Sequence, residues 1–187
     1  ATLTLAPATG LAPRAQFEAT PQALSPLGIT TATIPVPSAF LITQVRPHLT
    51  ITHPKINDLT ITLKSPDNTK VTLYDQDGRR GRDLNSTFDS FAPADLDDGA
   101  APWQGTWKPH QNLNAFLNHS SAGNWTLEIR DPSGSINGGS LDLFRLELIA
   151  QAPEITSANW LDSNPILDHL RLNHDGLRFT HYRWRNA

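Results

Sequence analysis

Five residues, Leu59-Thr60-Ile61-Thr62-Leu63, alternate apolar and β-branched polar side chains without a break, and Val71-Thr72-Leu73 resumes the alternation. A period of two places successive side chains on opposite faces of an extended strand, which a helix cannot do. Ser65-Pro66-Asp67-Asn68 separates the two runs. Proline presets φ for a turn, and aspartate and asparagine tolerate turn geometry, so the segment is predicted to be a hairpin. The alternation returns in Trp125-Thr126-Leu127-Glu128-Ile129 and over Leu141–Leu148, with Asp131-Pro132-Ser133-Gly134 and Asn137-Gly138-Gly139 as the loop between. Weaker versions occupy 31–36, 41–45 and 49–52, where Pro35, Pro37 and Pro47 suit edges or strand ends. Only 112–119 reads as a helical turn. Many short strands with frequent turn signals imply an all-β fold, a sandwich of mostly antiparallel strands. Its predicted core is Leu59, Ile61, Leu63, Val71, Leu73, Trp125, Leu127, Ile129, Leu141, Leu146 and Leu148.

The 187 residues divide by texture. Residues 1–28 are rich in alanine and proline and read as a linker or a docked arm. Residues 29–150 carry the strand pattern. Residues 151–187 form a C-terminal extension with a second candidate hairpin, Leu170-Arg171-Leu172 and Leu177–Trp184 around Asn173-His174-Asp175-Gly176. A lone hairpin is marginal in water, so the extension is expected to dock or to open a further domain. The absence of methionine is expected from processing or from excision out of a longer chain.

A net charge of −3 gives no basic field, which disfavours nucleic acid as a partner. The arginines of the tail are offset by Glu154, Asp162, Asp168 and Asp175. No apolar run is long enough to span a bilayer. Without cysteine there is neither a disulfide framework nor thiol chemistry. There is no G-x-S-x-G elbow and no H-E-x-x-H pair, so neither an acyl-transfer nor a zinc-peptidase constellation is legible. His53 reads as a packed histidine bonded to a backbone carbonyl.

The remaining residues carry a family pattern. Ile51-Thr52-His53, Asn57-Asp58-Leu59 and Ser65-Pro66 come first, then Thr87-Phe88-Asp89 and Gly105-Thr106-Trp107-Lys108-Pro109. Gly123-Asn124-Trp125-Thr126-Leu127-Glu128-Ile129-Arg130-Asp131 and Gly139, Leu141, Phe144, Leu146 and Leu148 follow in order. In sequence and spacing these resemble the P domain (P/Homo B domain) of subtilisin-like proprotein convertases over roughly residues 31–150. Asn68 replaces a usual glycine and Phe144 a frequent tryptophan. The resemblance implies a jelly-roll-like β-sandwich and a non-catalytic accessory module, secreted or at the cell surface. It implies a role in stabilising or targeting an attached subtilisin-like or other protease catalytic domain.

Two site expectations remain. Residues 75–104 hold seven aspartates against Arg79, Arg80 and Arg82. Counting outward from the hairpin turn brings Asp58 opposite Asp75, and such a like-charge pair needs compensation. Asp58, Asp75, Asp77, Asp83 and Asp89 are therefore candidate oxygen ligands for Ca²⁺, with solvated pairing to the arginines as the alternative. Trp103 and Trp107 are the candidate sugar platform of a carbohydrate-binding sandwich, the second function class. Asn85-Ser86-Thr87, Asn118-His119-Ser120 and Asn124-Trp125-Thr126 match the N-glycosylation triplet. The last lies in a core strand and is expected to be accidental.

Overall fold

The computed structural model describes residues 14–76, 81–99, 102–132 and 138–150, together with the backbone of 173–174 and 177–178. Residues 9–153 form one unit, and residues 1–8 with 154–187 form another.

In the larger unit the alternating runs become strands of two sheets. The strands are β1 (Arg14–Ala19), β2 (Gln22–Ala23), β3 (Ile29–Val36), β4 (Ile42–Thr52), β5 (Thr60–Lys64) and β6 (Lys70–Asp75). They continue with β7 (Leu84–Phe88), β8 (Trp103–Trp107), β9 (Gly123–Arg130) and β10 (Ser140–Ala150). One sheet has the order β1-β10-β4-β7-β8, with β2 also on β10, and the other has the order β3-β9-β5-β6. Every pairing in the two sheets is antiparallel except β7 with β8. The fold is therefore a β-sandwich, as the alternation implies.

The inward rows of the two sheets make the core. All eleven core residues read from the alternation are 0–1 % exposed. Trp125 fills the centre of β9, its ring edge-on to Phe116 at 5.1 Å and its Nε1 donating to Ser121 O. Phe116 belongs to the 3₁₀ turn Leu113–Phe116, within the helical turn read from the sequence. The Ser65–Asn68 turn joins β5 to β6, and Asn68 sits at φ 71°, the left-handed region that asparagine tolerates.

The structure departs from the sequence reading in four places. First, β1 and β2 pair with β10, so strand structure begins upstream of the boundary placed at Ile29. Second, β7 lies inside the acidic stretch that reads as a long polar connection. Its Leu84, Ser86 and Phe88 point into the core, and the Ser86 hydroxyl is satisfied by Trp103 O at 2.9 Å. Third, Pro47 lies within the continuous strand β4, opposite Leu146, rather than at its end. The β7 ladder covers only His48 to Ile51, so Pro47 lies beyond its rim on that side.

Fourth, a bulge shifts the β5–β6 register. Thr62 faces Thr72 but Ile61 faces Tyr74, so Asp75 stands opposite Thr60 and not opposite Asp58. The extra residue turns both Leu73 and Tyr74 inward, and each is 0 % exposed. In the smaller unit, β11 (Asn173–His174) pairs with β12 (Leu177–Arg178). Strand pairing thus includes Asn173 and His174, which the sequence reading assigns to the turn. The expected strand segments at 170–172 and 179–184 lie outside the described residues.

Candidate functional site

Three polar clusters sit on this scaffold, two at the ends of the sandwich and one on an outer sheet face. The first is built where β4 ends. His53 is fully buried, and its Nε2 lies 3.2 Å from Asp131 Oδ2. Its Nδ1 accepts the Lys55 amide at 3.2 Å, which leaves Nε2 as the N–H that faces the carboxylate. The His53 amide donates to Asp83 Oδ1 at 2.9 Å, and the Asp83 amide returns a bond to His53 O at 3.1 Å. Asp83 takes φ 61° to make both bonds. Gly139 lies against this group, because a Cβ there would fall 2.2 Å from Thr52 O and 2.6 Å from His53 Cδ2. The partner of the ring is thus a carboxylate and an amide, not the carbonyl expected from sequence. With the ring sealed from solvent, His53 holds loops together and reaches no external substrate.

At the opposite end, the Ser65–Asn68 turn meets the segment before β9. His119 Nδ1 lies 2.6 Å from Asp67 Oδ2. Asp67 also accepts the Ser65 hydroxyl and the Thr69 amide. The Ser65 hydroxyl does most to hold the Asp67 carboxyl below the usual range, the Thr69 donors and His119 add to it, and slight burial opposes them. The sequence shows Ser65, Asp67 and His119 without a signal that they meet, since 50 residues separate the turn from the histidine.

The third cluster lies on the outer face of the six-stranded sheet. Arg46 Nε lies 3.0 Å from Asp89 Oδ2 and its NH1 3.1 Å from Glu147, which also meets Arg14 at 3.3 Å. Gln44 donates to both Asp89 oxygens at 3.0 and 3.1 Å. Beside it, His48 Nδ1 lies 2.9 Å from Thr87 Oγ1. Burial first, and then the Arg145 guanidinium, hold His48 below its ordinary 6.5, against a hydrogen bond with Asn85.

The candidate calcium ligands do not gather on this frame. Asp58 ends a 3₁₀ turn, Ile56–Asp58, and accepts Asn57 Nδ2 at 2.9 Å. Asp75 accepts the Thr60 hydroxyl at 3.0 Å. Asp83 is committed to the His53 amide. Asp89, 8 % exposed, is neutralised by Arg46 and caps the Phe91 amide. Asp77 lies outside the described residues. Among the described residues, no three His, Asp or Glu side chains are placed to share a metal ion. Neither do the tryptophans form a platform. Trp103 is 0 % exposed, bonds Leu96 O through Nε1 and meets Tyr74 edge-on at 5.9 Å. Trp107 is half-buried over Gly99, where a Cβ would fall 2.9 Å from its ring.

The proprotein convertase P-domain sequence model matches residues 42–148, more than half of the chain. The chain belongs to the proprotein convertase P-domain family. The match runs from β4 to β10, so it takes in all three clusters of this P domain apart from Arg14. Among solved structures, the chain is similar to the serine protease of Aeromonas sobria, with 17% identity and a TM-score of 0.48 over 78% of this chain and 28% of that one. The same protease in complex with its chaperone ORF2 gives 17% and 0.48 over 76% and 28%. FLHE gives 11% and 0.42 over 74% and 98%. This P domain thus spans about 28% of the length of the Aeromonas protease. No curated protein sequence matches it. Among the described residues, no helix is long and apolar enough to cross a membrane.

Proposed function

We propose that this chain is the non-catalytic accessory module of a secreted or cell-surface protease, and that it stabilises or targets an attached subtilisin-like or other protease catalytic domain. The observation that carries the reading is the P-domain match across 42–148. The clusters agree with it. The buried His53–Asp131 pair and the Arg46–Asp89–Glu147 network brace a scaffold, and both described His–Asp pairs are engaged with structure rather than with a reactive hydroxyl.

The test compares the natural full-length chain with a version lacking this module, and with one carrying Trp125→Ala inside it. Loss of soluble yield, or a lower melting temperature of the catalytic domain in both variants, is expected. Equal yield, stability and substrate choice without the module would sink the accessory role. Hydrolysis of peptide substrates by the purified module alone would overturn the non-catalytic reading.

A further inference from the structure

The three glycosylation triplets of this chain stand in different structural settings, and we propose that Asn118 is an acceptor for an N-linked oligosaccharide. The proposal rests on the extracellular placement above. An acceptor asparagine must present its side-chain amide to solvent from a segment outside the sheets, with an accessible hydroxyl two residues on. In the reaction, Asn118 Nδ2 bonds to the anomeric carbon of a lipid-linked oligosaccharide. That carbon's bond to pyrophosphate breaks, the lipid pyrophosphate leaves, and one amide proton is lost.

Asn118 meets the requirement. It lies between the Leu113–Phe116 turn and β9, outside every strand, and is exposed. Its φ of 64° bends the chain there, and its amide is anchored on Ile42 O at 2.9 Å, so the turn is held while the side chain stays in solvent. Ser120, which supplies the required hydroxyl, is exposed as well. His119 between them leans away toward Asp67.

The other two triplets are locked into sheets. Asn85, Ser86 and Thr87 all lie in β7, flanked by β4 and β8. Asn85 Oδ1 accepts the Thr50 hydroxyl at 3.3 Å, Ser86 is fully buried on Trp103 O, and the Thr87 hydroxyl faces His48. Asn124 and Thr126 flank the buried Trp125 in β9, between β3 and β5. Neither triplet can enter an active site without pulling out a central strand.

The test uses the full chain, purified folded from a host without oligosaccharyltransferase. It is incubated with a single-subunit oligosaccharyltransferase and lipid-linked oligosaccharide, with a short acceptor peptide as positive control. Intact mass is then measured. One added glycan is expected, mapped to the peptide containing Asn118. It is expected to be absent in Asn118→Gln and in Ser120→Ala and present in Asn85→Gln and Asn124→Gln. Ser120→Ala keeps the left-handed asparagine, so the proposal stays testable should Asn118→Gln fail to fold. Secretion of the same set from a eukaryotic cell should reproduce the pattern after glycosidase treatment. A folded chain left unmodified while the control peptide reacts, or a glycan that survives Ser120→Ala, overturns the proposal. Neither result bears on the accessory role, which is read from module deletion.

Discussion

Trp125 and Leu27 show opposite uses of a large apolar side chain. Trp125 is fully enclosed, so Trp125→Ala removes its packing, leaves a cavity and takes away the donor to Ser121 O. A loss of about 3–5 kcal/mol is expected in a urea titration, enough to bring a domain of ordinary stability near its unfolding threshold. A variant melting within a few degrees of the parent would refute the assigned role of this residue. Leu27 instead stands 74% exposed at φ 53°, after Pro26 in a turn that glycine would occupy without cost. Leu27→Gly is expected to raise stability by about 1 kcal/mol, because a side chain in the left-handed region costs about that much and this one buries little in return. A third residue, His48, ties stability to pH. Its folded form resists protonation while the unfolded chain takes up a proton near 6.5, so the unfolded state binds more protons below that value. Stability is therefore expected to hold above about pH 6.5 and to decline as the pH falls toward the lowered folded value. Melting curves between pH 5 and 8 should show a shallower decline in His48→Gln; equal slopes in the two proteins would remove His48 as the cause.

At the scale of elements, the strands legible in the sequence are those whose alternation is both strict and strongly apolar. β5, β9 and β10 carry leucine, isoleucine or tryptophan at every inward position or nearly so, and hydrophobic burial alone sets their facing. β7 escapes notice because its central inward residue is Ser86, whose hydroxyl is buried only because Trp103 O accepts from it. That partner comes from another strand and leaves no local trace. β1 escapes for a different reason: within Arg-Ala-Gln-Phe-Glu-Ala only Phe17 is large and apolar, so its pairing rests on the backbone ladder and on ion pairs such as Glu18–Arg145. Composition could therefore read as a spacer where β1 in fact covers one side of β10. Removing residues 1–20 leaves the N–H and C=O groups of β10 from Phe144 to Ile149 open along that side. The truncated chain is expected to melt several degrees lower and to self-associate, since an open edge templates pairing. Sedimentation and a melting curve check both, and an unchanged monomer with an unchanged melting temperature would mean that β1 contributes nothing to the sandwich.

Over the whole molecule, ionic order is less legible than apolar order, because carboxylates find partners across distances that spacing does not encode. The aspartates of 75–89 look like one acidic loop in sequence. The fold sends Asp75 to Thr60, Asp83 to the His53 amide and Asp89 to Arg46 and Gln44, on different parts of the sandwich. The step that misleads is the register: counting outward from the Ser65–Asn68 turn sets Asp58 against Asp75, but Lys64 pairs with Lys70, one residue off that count, and the bulge at Leu73 adds a second, so Asp75 faces Thr60. Chelation is the measurement that follows. A bound ion would stabilise the native state by RT ln(1 + [L]/Kd), about 2.7 kcal/mol at ~100 Kd, a shift of several degrees. Calcium takes six to eight oxygens, whereas each of the four described aspartates already accepts from a protein donor. Melting curves in excess EDTA and in millimolar Ca²⁺ are therefore expected to superimpose. Arg46→Gln should instead lower the melting temperature in both conditions, because it leaves Asp89 and Glu147 without their shared cation. A calcium-dependent shift that vanishes in Asp58→Asn or Asp83→Asn would overturn this expectation and assign an ion to those carboxylates.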